Sequence, residues 1–267
     1  MRVRGLEFNV IDSGGRHDRL PFVWAHPLTS SIAAEDRHGV FDWSEVRGER
    51  RWIRYDARGH GGSAQTRHAA DYRWPNLAHD QLELMDTLEV DRVVLGGASM
   101  GAATALHSAC FQPDRVSALV LVIPPAAWDT RHESSKKYRS SARYTMTHGV
   151  HGLAKATRKQ PSPTIFTDRL APLQGGGIGA IDDLHYLSAV AALRGAAGSD
   201  LPMPAQLARI RDVPTLILSW ETDSAHPVST AERLAAGFEH ADLHVATTAD
   251  EVAHWPEEVA HFLHDCE

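Results

Sequence analysis

Apolar runs bounded by turn residues alternate along the chain with segments whose apolar positions recur every three or four residues. The runs near residues 3–10, 20–26, 50–55, 91–97, 116–123, 213–219 and 242–247 read as strands. Between them, Leu77, Ala78, Leu82, Met85 and Leu88 fall on one stripe of a helix. Residues 100–111 are small and alanine-rich, suited to a helix pressed closely on a sheet, and a last helix starts near Trp255-Pro256, where proline is tolerated in the first turn. This alternation predicts an α/β protein: a mostly parallel sheet flanked by helices.

The rhythm fails from about Pro124 to Pro204. This stretch opens with two prolines, carries the basic cluster Arg131, Lys136, Lys137 and Arg139, contains Gly175-Gly176-Gly177 and has no convincing strand. Roughly 80 residues between two core strands far exceed an ordinary connection. Tyr138, Tyr144, Phe166, Leu170, Leu184, Tyr186 and Leu187 give the stretch something to bury. It therefore reads as a helical lid over residues 125–204, inserted into a core formed by 1–124 and 205–267, rather than as a disordered linker.

Charge narrows the partners. With 27 basic and 34 acidic side chains among 267 residues, the net charge of −7 argues against nucleic acid or an anionic membrane surface. No apolar run approaches the ~18 residues of a membrane span, and MRVRGLEFNV lacks the apolar core of a signal peptide. The two cysteines, Cys110 and Cys266, form no disulfide framework, so free thiols and a cytoplasmic location are expected.

The most informative run is residues 93–103, in which a strand ends, Gly97-Ala98-Ser99-Met100-Gly101 makes a G-x-S-x-G, and an alanine-rich helix follows at once. That pattern suits a sharp strand-to-helix turn that lifts a serine oxygen clear of a sheet, with glycines where side chains would strike neighbouring backbone. The alternative is a Gly-Ser loop in which Ser99 merely caps the helix. Arg58-Gly59-His60-Gly61-Gly62-Ser63 lacks both phosphate-loop signatures and reads as a structural turn. His148 and His151 have no H-E-x-x-H or C-x-x-C around them, so no metal is implied.

Taken with YDARGHGGSA (Tyr55 to Ala64), LILSWETDSAHP and HWPEEVAHFL, this unit resembles the α/β-hydrolase superfamily across nearly the whole chain. The resemblance implies an eight-stranded, mostly parallel sheet with a lid after the sixth strand. It also implies a triad in the chain order Ser, Asp or Glu, His. Serine needs a base to take its proton, and the base needs a carboxylate to orient it. Ser99 is the expected nucleophile. Asp223, just past the strand 213–219, is the expected acid, with Glu221 and Asp129 as rivals; Trp220 stands where the superfamily often has glycine. Of 17 histidines, His254 is the expected base, because the superfamily keeps its base in the loop after the last strand. His240 and His244 fall in a turn and a strand, and His261 and His264 on the last helix.

The oxyanion hole implied by the resemblance draws on the backbone N–H groups of Met100 and Leu28, with His26 as a structural hydrogen-bonding residue. Together these features point to a serine hydrolase of small carboxylic esters or lactones that needs no cofactor. Serine at the turn argues against the haloalkane dehalogenase and epoxide hydrolase branches, and Pro124 to Arg131 is similar to lids of enol-lactonase-like members. A carbon–carbon bond hydrolase or cofactor-free perhydrolase with the same triad, and a non-catalytic small-molecule binder, remain open alternatives. Trp128 and Tyr138 read either as an acyl pocket or as lid core.

Overall fold

The computed structural model describes residues 1–15, 18–40, 43, 46, 50–160, 164–166 and 180–266. Gly175-Gly176-Gly177 and Leu170 lie outside them.

The first predicted strand is three short pieces. Arg4 and Gly5 both take positive φ (45° and 79°), a turn that folds β1 (Arg2–Val3) back on β2 (Leu6–Glu7) as a separate two-stranded ribbon. The chain then enters the main sheet as β3 (Val10–Asp12). It continues through β4 (Phe22–Ala25), β5 (Trp52–Tyr55), β6 (Val93–Ala98), β7 (Val116–Val122), β8 (Thr215–Trp220) and β9 (Ala241–Ala246). Their order is β3-β5-β4-β6-β7-β8-β9, with β3 antiparallel to β5 and every other pair parallel. Among the described residues this sheet has seven strands rather than eight, because the Arg4-Gly5 turn diverts the first segment into the ribbon.

Both faces are covered, as a parallel sheet requires, and the period-2 alternation divides the core in two. Leu95, Leu119, Leu121 and Ile217 point to one layer, which includes Leu77, Met85 and Leu106 from the helices α2 (Trp74–Thr87) and α3 (Met100–Phe111). Val94, Val120, Leu216 and Leu218 point to the other, which holds Trp24, Trp43, Trp52, Trp220 and Trp255. The helix α1 (Ile32–His38) starts at Ser31, whose hydroxyl accepts the N–H of Ala34 at 3.1 Å.

Between β7 and β8 the chain forms α4 (Arg131–Thr157), broken at Gly149 by φ 72°, and α5 (Tyr186–Ala197). From the basic cluster, Arg131 is buried: its guanidinium lies 4.3 Å over the Trp74 ring and donates to Ser199 O at 2.7 Å, to Ala126 O at 3.2 Å and to Ala196 O. Lys136, Lys137 and Arg139 are exposed. Trp128 packs against the core, its indole donating to Pro202 O at 3.1 Å, while Tyr138 packs against the cluster of Ala142, Leu153 and Leu193. After β8 come α6 (Val228–Ala235), then, beyond β9, α7 (Ala249–Ala253) and α8 (Trp255–Asp265). Among the described residues no helix is long and apolar enough to cross a membrane.

Candidate active site

Ser99 follows β6 without a spacer and takes φ 52°, ψ −108°, a conformation costly for a residue with a Cβ. The glycines on either side explain how the turn is tolerated. A Cβ on Gly101 would lie 1.9 Å from the carbonyl oxygen of Ala25, and one on Gly97 would lie 2.4 Å from the carbonyl carbon of Gly101. Strand β4 and helix α3 thus pass at backbone contact, and only hydrogen fits between them. Ser99 makes no side-chain cap to α3, which excludes the capping alternative.

Its hydroxyl meets a histidine instead. The Oγ of Ser99 lies 2.8 Å from Nε2 of His226, and Nδ1 of the same ring lies 2.7 Å from Oδ2 of Asp223. Nδ1–H donates to the carboxylate, leaving Nε2 to accept the serine proton. The ring is set by a tight turn: the Ala225 N–H donates to Asp223 Oδ1 at 2.8 Å, and the His226 N–H donates to Asp223 O at 3.2 Å. The Trp220 indole N–H adds a third donor, to Asp223 Oδ2 at 3.1 Å. Burial opposes ionisation of Asp223, yet His226, Ala225 N–H and Trp220 outweigh it and hold the carboxyl well below the usual carboxylate range.

His254, the base expected from the sequence, is elsewhere. Thr248 caps α7 two residues past β9, and His254 is the C-cap of that helix. β9 lies three strands from β6 in the sheet order, about 14 Å at the usual strand spacing. The His254 ring is exposed and donates from Nδ1 to Asp250 O at 2.7 Å. The loop after β8 starts one strand nearer, and it carries the histidine that reaches Ser99. Of the rival acids, Glu221 is exposed and Asp129 pairs with Arg233 at 2.9 Å. The superfamily pattern places the base after the last strand and so passes over His226, whose signal in the sequence is a histidine three residues beyond an acid at a strand's C-terminal end.

Of the expected oxyanion donors, one follows Ser99 directly and the other lies past the end of the adjacent strand β4. Met100 is the first residue of α3, where backbone N–H groups have no intrahelical acceptor, and Leu28 lies in the loop after β4. Two buried imidazoles hold that loop. His26 donates from Nδ1 to Pro27 O at 2.7 Å and accepts the Ala57 N–H at Nε2 at 2.9 Å. His60 donates from Nδ1 to Arg58 O at 2.9 Å, and its Nε2 accepts the Thr29 N–H at 3.3 Å. Burial pushes His60 down to about 3 and lowers His26, so both rings are neutral at physiological pH. The Arg58–Ser63 run forms a turn knitted by Asp56, whose carboxylate accepts Ile32 N–H at 2.7 Å and Gly62 N–H at 2.9 Å. His148 stacks on Tyr144 and His151 pairs with Asp182; among the described residues no three His, Cys, Asp or Glu side chains gather as a metal site.

Comparison with known proteins agrees with this architecture. An enol-lactonase from Burkholderia xenovorans superposes with a TM-score of 0.79 at 24% identity, covering 98% of both chains. A thermophilic esterase from Thermogutta terrifontis also gives 0.79, at 22% identity over 98% of this chain and 94% of that one. A Danio rerio sn-1-specific diacylglycerol lipase, ABHD11, is 29% identical over 133 residues, which are 50% of this chain and 40% of that protein. The chain spans less than half the length of the curated relatives it matches. The family model for the alpha/beta hydrolase fold matches residues 44–258, and the chain therefore belongs to that family.

Proposed function

We propose that the protein is a serine hydrolase of small carboxylic esters or lactones, acting through an acyl-enzyme on Ser99 with His226 as base and Asp223 as its orienting acid. The observation that carries this reading is the unbroken relay from Ser99 Oγ to His226 Nε2 and from His226 Nδ1 to Asp223, at 2.8 and 2.7 Å.

In this reading Ser99 Oγ attacks the carbonyl carbon as its proton passes to His226 Nε2. The negative charge that develops on the carbonyl oxygen is met by the N–H groups of Met100 and Leu28. His226 returns the proton to the leaving alkoxide, then takes one from the water that attacks the acyl-enzyme and hands it to the departing Ser99 Oγ as the acid is released. Asp223 keeps the ring in the tautomer that accepts from serine. The helices between β7 and β8 act as a lid: Leu28, on the oxyanion loop, packs under Ala142, Leu153 and Leu193. The structural likeness to the enol-lactonase and the esterase favours small esters and lactones among acyl substrates.

The test pairs a fluorophosphonate label with turnover of p-nitrophenyl acetate and a panel of short esters and lactones. Labelling at Ser99, lost in Ser99→Ala and His226→Ala but retained in Ser63→Ala and His254→Ala, supports the reading. A kcat loss on the order of 10⁶-fold is expected for His226→Ala, against less than twofold for His254→Ala. The reverse pattern for the two histidines would overturn the assignment of the base. Labelling with turnover only of a vinylogous diketone or peroxide would replace the substrate class. Tight binding without turnover would replace hydrolysis altogether.

A further inference from the structure

Trp220 closes β8 with its side chain 3% exposed. Its indole lies parallel to Trp255 of α8 (centroids 5.6 Å apart, 5° between planes) and meets Phe166 edge-on (4.8 Å, 87°). Held between two rings from different elements, the indole presents its N–H to the Asp223 carboxylate. Its N–H reaches the oxygen, Oδ2, that also accepts from His226. The other oxygen is taken by Ala225 N–H, so each carboxylate oxygen has a fixed donor besides the imidazole.

An acid and a base three residues apart on one surface turn have an alternative that partners from separate loops lack: the pair can rotate outward together and remain bonded to each other. The turn itself is strained, with Thr222 at φ 67°, and is held at that residue by Thr164, whose N–H and hydroxyl both reach Thr222 Oγ1 at 3.0 Å. Something must fix the carboxylate plane so that the imidazole points at Ser99 and not at solvent.

Building on the proposed triad, we infer that Trp220 is a positioning residue: its clamped indole N–H pins Asp223 Oδ2 and thereby aims His226 Nε2 at Ser99. It touches neither substrate nor the reacting atoms and acts only through the acid. Tryptophan at the end of β8 thus supports a base carried on the same turn as its acid.

Trp220→Phe keeps a ring between Trp255 and Phe166 and deletes only the donor. Expected are a kcat about tenfold lower, as for loss of a hydrogen bond to a charged group, and a KM within twofold. The acid limb of kcat/KM should move to higher pH, because a carboxylate relieved of a donor binds the imidazolium more strongly. The control Phe166→Leu disturbs the packing and leaves the N–H in place; the position of its acid limb should match the parent. An unchanged kcat and pH profile in Trp220→Phe would overturn the inference, as would the same displaced limb in Phe166→Leu. Should Trp220→Phe fail to fold, the indole N–H resonance of Trp220 decides: it should exchange slowly and shift in Asp223→Asn, and a fast-exchanging, unshifted signal refutes the bond. An active Ser99→Ala would sink the underlying triad, whereas an inert Ser99→Ala beside a normal Trp220→Phe sinks this inference alone.

Discussion

Glu35, 5% exposed in the first turn of α1, gives the fold a pH dependence whose size follows from its surroundings. Both carboxyl oxygens face the Trp24 indole N–H at 3.1 Å, with Arg54, Asp36 and Asp56 as the charges nearby. Burial is the dominant influence and outweighs the help from Trp24 and Arg54, pushing the carboxyl from 4.5 up to about 8. Below pH 4.5 the folded and unfolded chains both hold the proton and the group costs nothing. As pH rises, the unfolded chain ionises while the folded one keeps its proton, so stability falls by 1.36 kcal/mol per pH unit until the folded carboxyl ionises near 8, then levels off. Over that window the loss is about 5 kcal/mol. With an unfolding entropy of about 2.1 cal/mol/K per residue, a 267-residue chain gives up about 9 °C of melting temperature. Glu35→Gln keeps the shape and removes the titration. Calorimetric melting of both proteins at pH 5 and pH 8.5 should show the variant gaining on the parent by about 7 °C at the higher pH, part of the loss having already occurred by pH 5. An identical difference at both pH values would refute the reasoning.

Two further substitutions probe the elbow and the acid. Asp223→Asn leaves His226 without the charge that fixes its tautomer; steady-state kinetics should show kcat lower by roughly 10³–10⁴-fold with KM within threefold, and a loss under tenfold would remove Asp223 from the relay. Gly101→Ala sets a methyl 1.9 Å from Ala25 O, where only backbone could yield; the protein should fail to give a native circular dichroism spectrum and melting transition, and a melt within 2 °C of the parent would contradict the contact.

The sequence made Ser99 legible because everything that builds the elbow is local: a strand, two glycines whose Cβ positions are occupied by backbone, and a helix of small residues. Asp223 was legible for a similar reason, lying three residues past a strand built around Leu216, Ile217 and Leu218. His226 was not. Where its ring points depends on the turn made by the Asp223 carboxylate with Ala225 N–H and on the packing of Trp220 between two distant aromatic residues, neither of which has a periodic signature. The superfamily pattern then directed attention to His254, a residue that serves here as the junction of two helices. The apolar runs read as seven strands, as many as the main sheet holds; eight came only with the superfamily resemblance, and the first run conceals a positive-φ turn at Arg4-Gly5.

Placing acid and base on one turn changes what the sheet must hold in register. The proposed relay needs only two segments to meet, the elbow after β6 and the turn after β8, and the two strands are joined through β7. Ala98 is level with Val122, and Val122 with Leu218, in consecutive parallel ladders. Ser99 donates its own N–H to Val122 O at 2.9 Å and Ile123 donates to Leu218 O, so the backbone bonds continue past the strand ends toward both halves of the site. β9 and the loop beyond it contribute packing: Val252 and Trp255 join the core layer that holds Trp220. In the proposed relay the C-terminal region meets the site through the Trp255–Trp220 stack beside Asp223. Loss of the Trp220 N–H should misalign the base, whereas changes at the exposed His254 should be silent.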